Sequence, residues 1–225
     1  MRAPAPYAAE VLAGLAAEAG IALPPPQALP GGGAGAELAG IDSPPLAPML
    51  RQMLRYSTNL TAEVVGLRAS QVRGLAPDGP AASAAAMGDW ARERFGLASA
   101  RLVDHSGLGD GSRIAPAELV AVLARADGLA AMLRERPVTG PDRQPVDLGV
   151  RVVAKTGTLF FSCGLAGYMT GSRRLVFAIL ASDPALRSAI RPEDRARPPG
   201  SKAWAARARA QEQALLRRWA SLYAA

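Results

Sequence analysis

Three apolar runs between residues 150 and 182 constrain this chain more than anything else in it. Val150-Arg151-Val152-Val153 is rich in β-branched residues and reads as a buried or half-buried strand that continues into Ala154-Lys155-Thr156-Gly157-Thr158. Leu165–Thr170 and Leu175–Ser182 read as two more strands, with only Gly171-Ser172-Arg173-Arg174 between them. A connection that short, built on a Gly-Ser turn, argues for an antiparallel hairpin rather than a crossover helix. After Pro198-Pro199-Gly200 a long final helix is expected, capped by Ser201. On it Trp204, Ala208, Leu215, Trp219 and Leu222 recur at helical spacing. One face of that helix must cover something apolar, and the sheet is the obvious partner.

Upstream of the strands the pattern is helical. Residues 7–20 carry Ala8, Val11, Leu12, Leu15 and Ala16 at helical spacing with Gly20 as a stop. Pro24-Pro25-Pro26 and Gly31-Gly32-Gly33 make 24–45 a loop or linker. Helices follow over Leu46–Arg55 and over Leu60–Ala69, the latter with Leu60, Val64 and Leu67 on one face, and then over Pro80–Phe95, with Met87, Trp90, Ala91 and Phe95 on one face. Ala100–Val103 is strand-like and runs into the glycine-rich loop 104–111, and Pro116 opens a further helix. Helices followed by an antiparallel sheet and a covering helix make an α+β chain.

Composition narrows the chemistry. Lys+Arg 26 against Asp+Glu 19 gives a net charge of +7 and a pI near 10.4, which suits nucleic acid, an anionic surface or an acidic polymer. The charge is arginine scattered among alanines, and only 5% of residues are aromatic, so no nucleic-acid partner is expected. One cysteine, Cys163, and one histidine, His105, can build neither a disulfide framework nor a Cys/His zinc site, so no metal or other cofactor is expected. The first 23 residues place Glu10 and Glu18 within their apolar stretch and do not read as a signal peptide. No stretch approaches the length of a membrane span.

Lys155-Thr156-Gly157 puts a cation and hydroxyls in a row at a strand end, and the glycine lets a backbone or a ligand lie against the strand. That is a floor for an anionic or peptide-like ligand. Ser57 and Asn59, in the polar break Tyr56–Asn59, are equally well read as helix N-caps. Asp104-His105-Ser106 is not a triad, because adjacent side chains diverge and a triad draws its members from separate elements. His105 reads as a loop residue facing solvent or bonding the backbone, and Cys163 as a small apolar residue.

Taken together, Ser57-Thr58-Asn59 and Lys155-Thr156-Gly157 match, in order, the second and third motifs of serine β-lactamases and penicillin-binding proteins. With Ser43-Pro44-Pro45-Leu46, Ala62-Glu63, Asp104 before Ser106-Gly107-Leu108, and Leu165-Ala166-Gly167-Tyr168, the chain resembles the D-alanyl-D-alanine carboxypeptidase/endopeptidases of the penicillin-binding protein 4 type from about Pro6 to Ser182. Two departures stand out. His105 replaces a glycine usual in that family, and no serine is followed three residues later by lysine. The resemblance therefore implies the C-terminal part of one transpeptidase-like domain over 1–225, whose acylating serine, activating lysine, export signal and accessory region lie upstream.

The same resemblance implies acyl transfer on peptidoglycan stem peptides, β-lactams as ligands and a periplasmic location, or a cytoplasmic one if Met1 is the true start. It gives Ser57, Asn59 and Lys155 catalytic parts: proton relay, substrate amide and charge stabilisation. Thr156, Gly157 and Thr158 would bind substrate, the two hydroxyls receiving the terminal carboxylate and the Thr158 amide forming half of an oxyanion hole. Lacking the nucleophile, the chain alone is expected to be inactive. The alternative is a non-catalytic module that binds peptidoglycan peptides or partner proteins through the same groove.

Overall fold

The computed structural model describes residues 3–27, 36, 39–126 and 128–224. It divides into two units, Met1–Ser43 and Pro44–Ala225. In the first, helix α1 (Pro4–Glu18) begins three residues earlier than the periodicity suggests. The reason is Pro4, whose fixed φ suits the first helical position. Of the expected linker 24–45, residues 28–35, 37 and 38 lie outside the described residues, and 39–45 carry neither helix nor strand.

The second unit begins with α2 (Leu46–Tyr56), α3 (Asn59–Val72), α4 (Pro80–Phe95) and α5 (Pro116–Arg125). The sheet follows: β1 (Arg134–Glu135), β2 (Arg151–Leu159), β3 (Ser162–Thr170) and β4 (Arg174–Ser182), in that spatial order and antiparallel throughout. Helices α6 (Pro184–Ser188) and α7 (Ser201–Trp219) complete the unit. The hairpin expected at 171–174 is the β3–β4 connection, with Thr170 paired to Arg174. β1 and α6 carry too few residues for any periodic signal and were not legible in the sequence.

Alternation along the strands builds two cores. Val152, Ala154, Leu165 and Met169 face α7 and pack on Leu216 and Ala220. Val153, Ala166 and Tyr168 face the other way, onto Leu123 and Leu119 of α5. Burying a side chain such as Leu216 contributes about 2 kcal/mol. Two layers of helix thus clamp β2 at 152–154, and the strand emerges from cover only at Lys155.

Several local expectations need correction. Gly200, in the left-handed conformation, is the N-cap of α7, and Ser201 is its first residue, donating its hydroxyl to Pro198 O at 2.7 Å. Of the stripe expected on that helix, Ala208 is buried and Trp204, Leu215 and Trp219 pack against the core beside Ala205, Glu212 and Leu216, while Leu222 is 48% exposed. Ala100–Val103 is not a strand; Arg101 makes an isolated bridge to Arg113 across the loop. On α3, Leu60 and Val64 are 77% and 58% exposed, so that apolar face lies open among the described residues.

Candidate active site

Ser57 is positioned by backbone strain. It terminates α2 in the left-handed conformation, with φ 56° and ψ 48°, and its amide donates to Met53 O. For a residue with a Cβ that conformation costs about 1 to 2 kcal/mol. It turns the hydroxyl out of the α2–α3 corner toward β2. There Lys155 Nζ donates to Ser57 Oγ at 2.5 Å, joining residues 98 positions apart in the chain. A second Lys155 N–H goes to Thr156 O at 2.6 Å. Lys155 is half-buried. Burial first, and then the neighbouring charge of Arg136, lower the proton affinity of its ammonium from the usual lysine value.

Ser57, Asn59, Lys155, Thr156, Gly157 and Thr158 all line one open groove of about 1000 Å³. Asn59 is the exposed first residue of α3, so neither it nor Ser57 is a helix N-cap; that position is Thr58. Gly157 is exposed, and a Cβ built on it would meet nothing within 4 Å, so the strand is open to a ligand there. Thr158 stands opposite Cys163 in the β2–β3 register. Cys163 is buried beside Ala205 and Ala208, in keeping with its reading as a small apolar residue. Thr156 Oγ1 accepts from Arg136 Nη2 at 3.3 Å.

The opposite wall is the loop after residue 103, and carboxylates hold it. Glu63 of α3 accepts from the amides of His105 at 3.3 Å and Ser106 at 3.0 Å. Burial raises the Glu63 carboxyl, but the hydrogen bonds from the Ser106 and His105 residues outweigh it, so its proton affinity is lowered. His105 does not face solvent. Its Nε2 is 2.9 Å from Ser83 Oγ, which is 2.7 Å from Ser70 Oγ, and its ring lies over Gly66 of α3. Asp104 accepts from the Gly107 amide at 2.9 Å, and Arg187 of α6 ties Asp110 to Phe160 O. Glu63 was legible only as part of the Ala62-Glu63 pair, without its role, and Glu118 and Arg187 carry no sequence signal beyond their residue type.

Glu118 secures the base of this loop. It accepts from the amides of Ala115 at 2.9 Å and Ser99 at 2.6 Å and from the Ser99 hydroxyl at 2.8 Å. Those bonds bring its carboxyl down from 4.5 to about 2. A depressed folded-state value gives stability that is complete above about pH 4.5 and lost as pH falls toward about 2. Thermal melts should therefore weaken across that window, and Glu118→Gln should flatten the dependence. An unchanged pH profile in the variant would refute the assignment.

A family model described as D-Ala-D-Ala carboxypeptidase 3 (S13) matches residues 1–197. No curated protein sequence matches the chain. Penicillin binding protein 4 (dacB) from Haemophilus influenzae superposes with a TM-score of 0.51 at 21% identity, over 61% of this chain and 34% of that one. In a complex with a novel β-lactam the same protein superposes with a TM-score of 0.58 at 25% identity, over 78% of this chain and 44% of that one. The chain thus spans less than half the length of the solved structures it matches.

Proposed function

The chain belongs to the D-Ala-D-Ala carboxypeptidase 3 (S13) family, and from that premise we propose that its groove is one wall of a serine-type acyl-transfer site for peptidoglycan stem peptides ending in D-Ala-D-Ala. The observation that carries this reading is the 2.5 Å hydrogen bond from Lys155 Nζ to Ser57 Oγ above an uncovered strand. A serine that accepts from a lysine of lowered proton affinity can pass a proton toward a leaving amine. Asn59 supplies an amide for the substrate backbone. The exposed strand from Gly157 to Thr158 offers backbone groups for an extended peptide, including half of an oxyanion hole, worth about 3 kcal/mol in a transition state. β-Lactams, which the solved relative binds, are the matching inhibitors, and the periplasm is where such substrates lie.

The reaction also needs a nucleophile. None of the serines in the chain is followed at the third position by lysine. Ser57 itself is placed as a relay, with its oxygen occupied by Lys155. Turnover therefore requires a Ser-x-x-Lys element from outside these 225 residues. The 225-residue chain by itself is expected to take no covalent label from a fluorescent penicillin on a denaturing gel. A stoichiometric adduct on Ser57 or any other serine overturns this assignment of roles.

A second reading, a binding module that holds D-Ala-D-Ala peptides without cleaving them, is favoured by the same open groove. Peptide binding without hydrolysis, lost in Lys155→Ala, supports it. Labelling restored by adding a Ser-x-x-Lys segment in trans returns the choice to the enzyme.

A further inference from the structure

A second pocket, of about 340 Å³, opens between α2 and the outer edge of the sheet. Its floor is made by the half-buried side chains of Met132 and Leu133, at the end of the 3-10 turn Leu129–Met132 against which α2 packs. Its rim is charged. Arg51 and Arg55 stand one turn apart on the same face of α2, and Arg134 comes from β1. Of the residues that line this pocket, only Leu133 also lines the groove.

The charge on the rim is not balanced. Helix α2 contains no acid, and Arg51, Arg55 and Arg134 have no ion pair among the described residues. Glu135 is the one acid at the pocket, and Arg151 already holds its carboxylate, donating from Nε to Oε2 at 2.8 Å. Arg136, the next residue, feels the charge of Arg134, so the like charges continue along this edge. Arginines at i and i+4 of a helix repel, and an anion lying across both removes that cost. Arg55 is also held in place, its guanidinium 5.5 Å above the Tyr56 ring.

We propose that this pocket binds a phosphate group, carried as a phosphomonoester or a diphosphate. Three guanidiniums without an ion pair call for more than one negative charge. A carboxylate brings one charge and two oxygens, whereas a phosphomonoester brings close to two charges and three oxygens, enough for planar forks from both the helix and the strand. Met132 and Leu133 receive the apolar part of the molecule that carries the phosphate. The bound group lies between the helix that ends at Ser57 and the strand that pairs with β2 just before Lys155, and its binding does not depend on what the groove holds.

The test is a calorimetric titration of the full chain with inorganic pyrophosphate, glycerol 3-phosphate and acetate, beside co-sedimentation with phosphatidylcholine vesicles with and without phosphatidic acid. A phosphate should bind about ten times more tightly than acetate and more weakly as salt rises. Binding of the soluble phosphates identifies a free ligand, and binding only of the vesicles that contain phosphatidic acid identifies a lipid headgroup. In either case Arg51→Gln combined with Arg55→Gln should weaken the binding about tenfold, while Lys202→Gln combined with Arg207→Gln, which removes as much charge from exposed positions of α7, should leave it unchanged. If the α2 variant does not fold on a melting curve, phenylglyoxal labelling of the unmodified chain decides: the bound phosphate should shield Arg51, Arg55 and Arg134 but not Arg207. Equal losses in the two double variants, equal affinity for acetate, shielding absent or shared by Arg207, or no binding of any phosphate overturns the proposal.

Discussion

Gly167→Ala is expected to lower the melting temperature by about 10 °C, the equivalent of about 3 kcal/mol of overpacking in a chain of this size. Gly167 of β3 pairs with Ala154 of β2, immediately before Lys155. A Cβ built on it would stand 2.1 Å from Val153 O and 2.7 Å from Ala154 Cα. Both are backbone atoms in the middle of a four-stranded sheet, clamped by helices on either face, so no side-chain rotation relieves the clash. β2 has to move, and Lys155 Nζ moves with it, away from Ser57. Peptide binding should therefore be lost even where the variant remains folded. Gly157→Ala is the contrasting case, because its Cβ would meet nothing within 4 Å. Its melt should stay within about 2 °C of the parent while binding falls, since the space it fills is the one a ligand would use. A Gly167→Ala melt as close to the parent as that would show that the strands can separate freely, contrary to the packing described.

The sheet and its covering helix were legible in the sequence because each buries a face with a period of its own. β3 and β4 appear as apolar runs, and α7 as a stripe of which Trp204, Ala208, Leu215 and Trp219 pack on the core and Leu222 does not. Ser57 and Lys155 were legible as types in order, but no pattern in the sequence gives the corner of left-handed backbone that aims one at the other. Arg136 was not legible at all. Its meaning depends on β1, a strand of two residues, and on a register that only the folded sheet supplies. The same holds for Glu118 and Arg187, whose partners are loop amides and a carbonyl without any sequence signature. The misreading of His105 has a specific cause: polarity suggested solvent, whereas the ring is held by another polar group, Ser83, inside a helix pair.

That histidine gives the second large effect. Replacing a glycine in the interior of a helix with alanine ordinarily stabilises by about 1 kcal/mol. At Gly66 the opposite is expected. The new Cβ would lie 2.2 Å from His105 Cγ and 2.2 Å from Nδ1, and the ring is fixed by Ser83 on one side and Met87 on the other. Gly66→Ala should cost about 3 kcal/mol in denaturant unfolding, because the ring cannot leave without pulling the Glu63-bound amides of His105 and Ser106 with it. His105→Gly removes the ring from the space beside Gly66. Its own cost should be smaller, since Ser83 Oγ keeps Ser70 Oγ and Gly66 O as partners. In the double variant the alanine has room, and the ordinary helix preference returns. The double variant should then be more stable than Gly66→Ala alone, with a coupling of about 2 kcal/mol. Additive losses would mean that the ring does not rest on Gly66. The coupling, if measured, shows that the His105 ring occupies the space that Gly66 leaves open on α3.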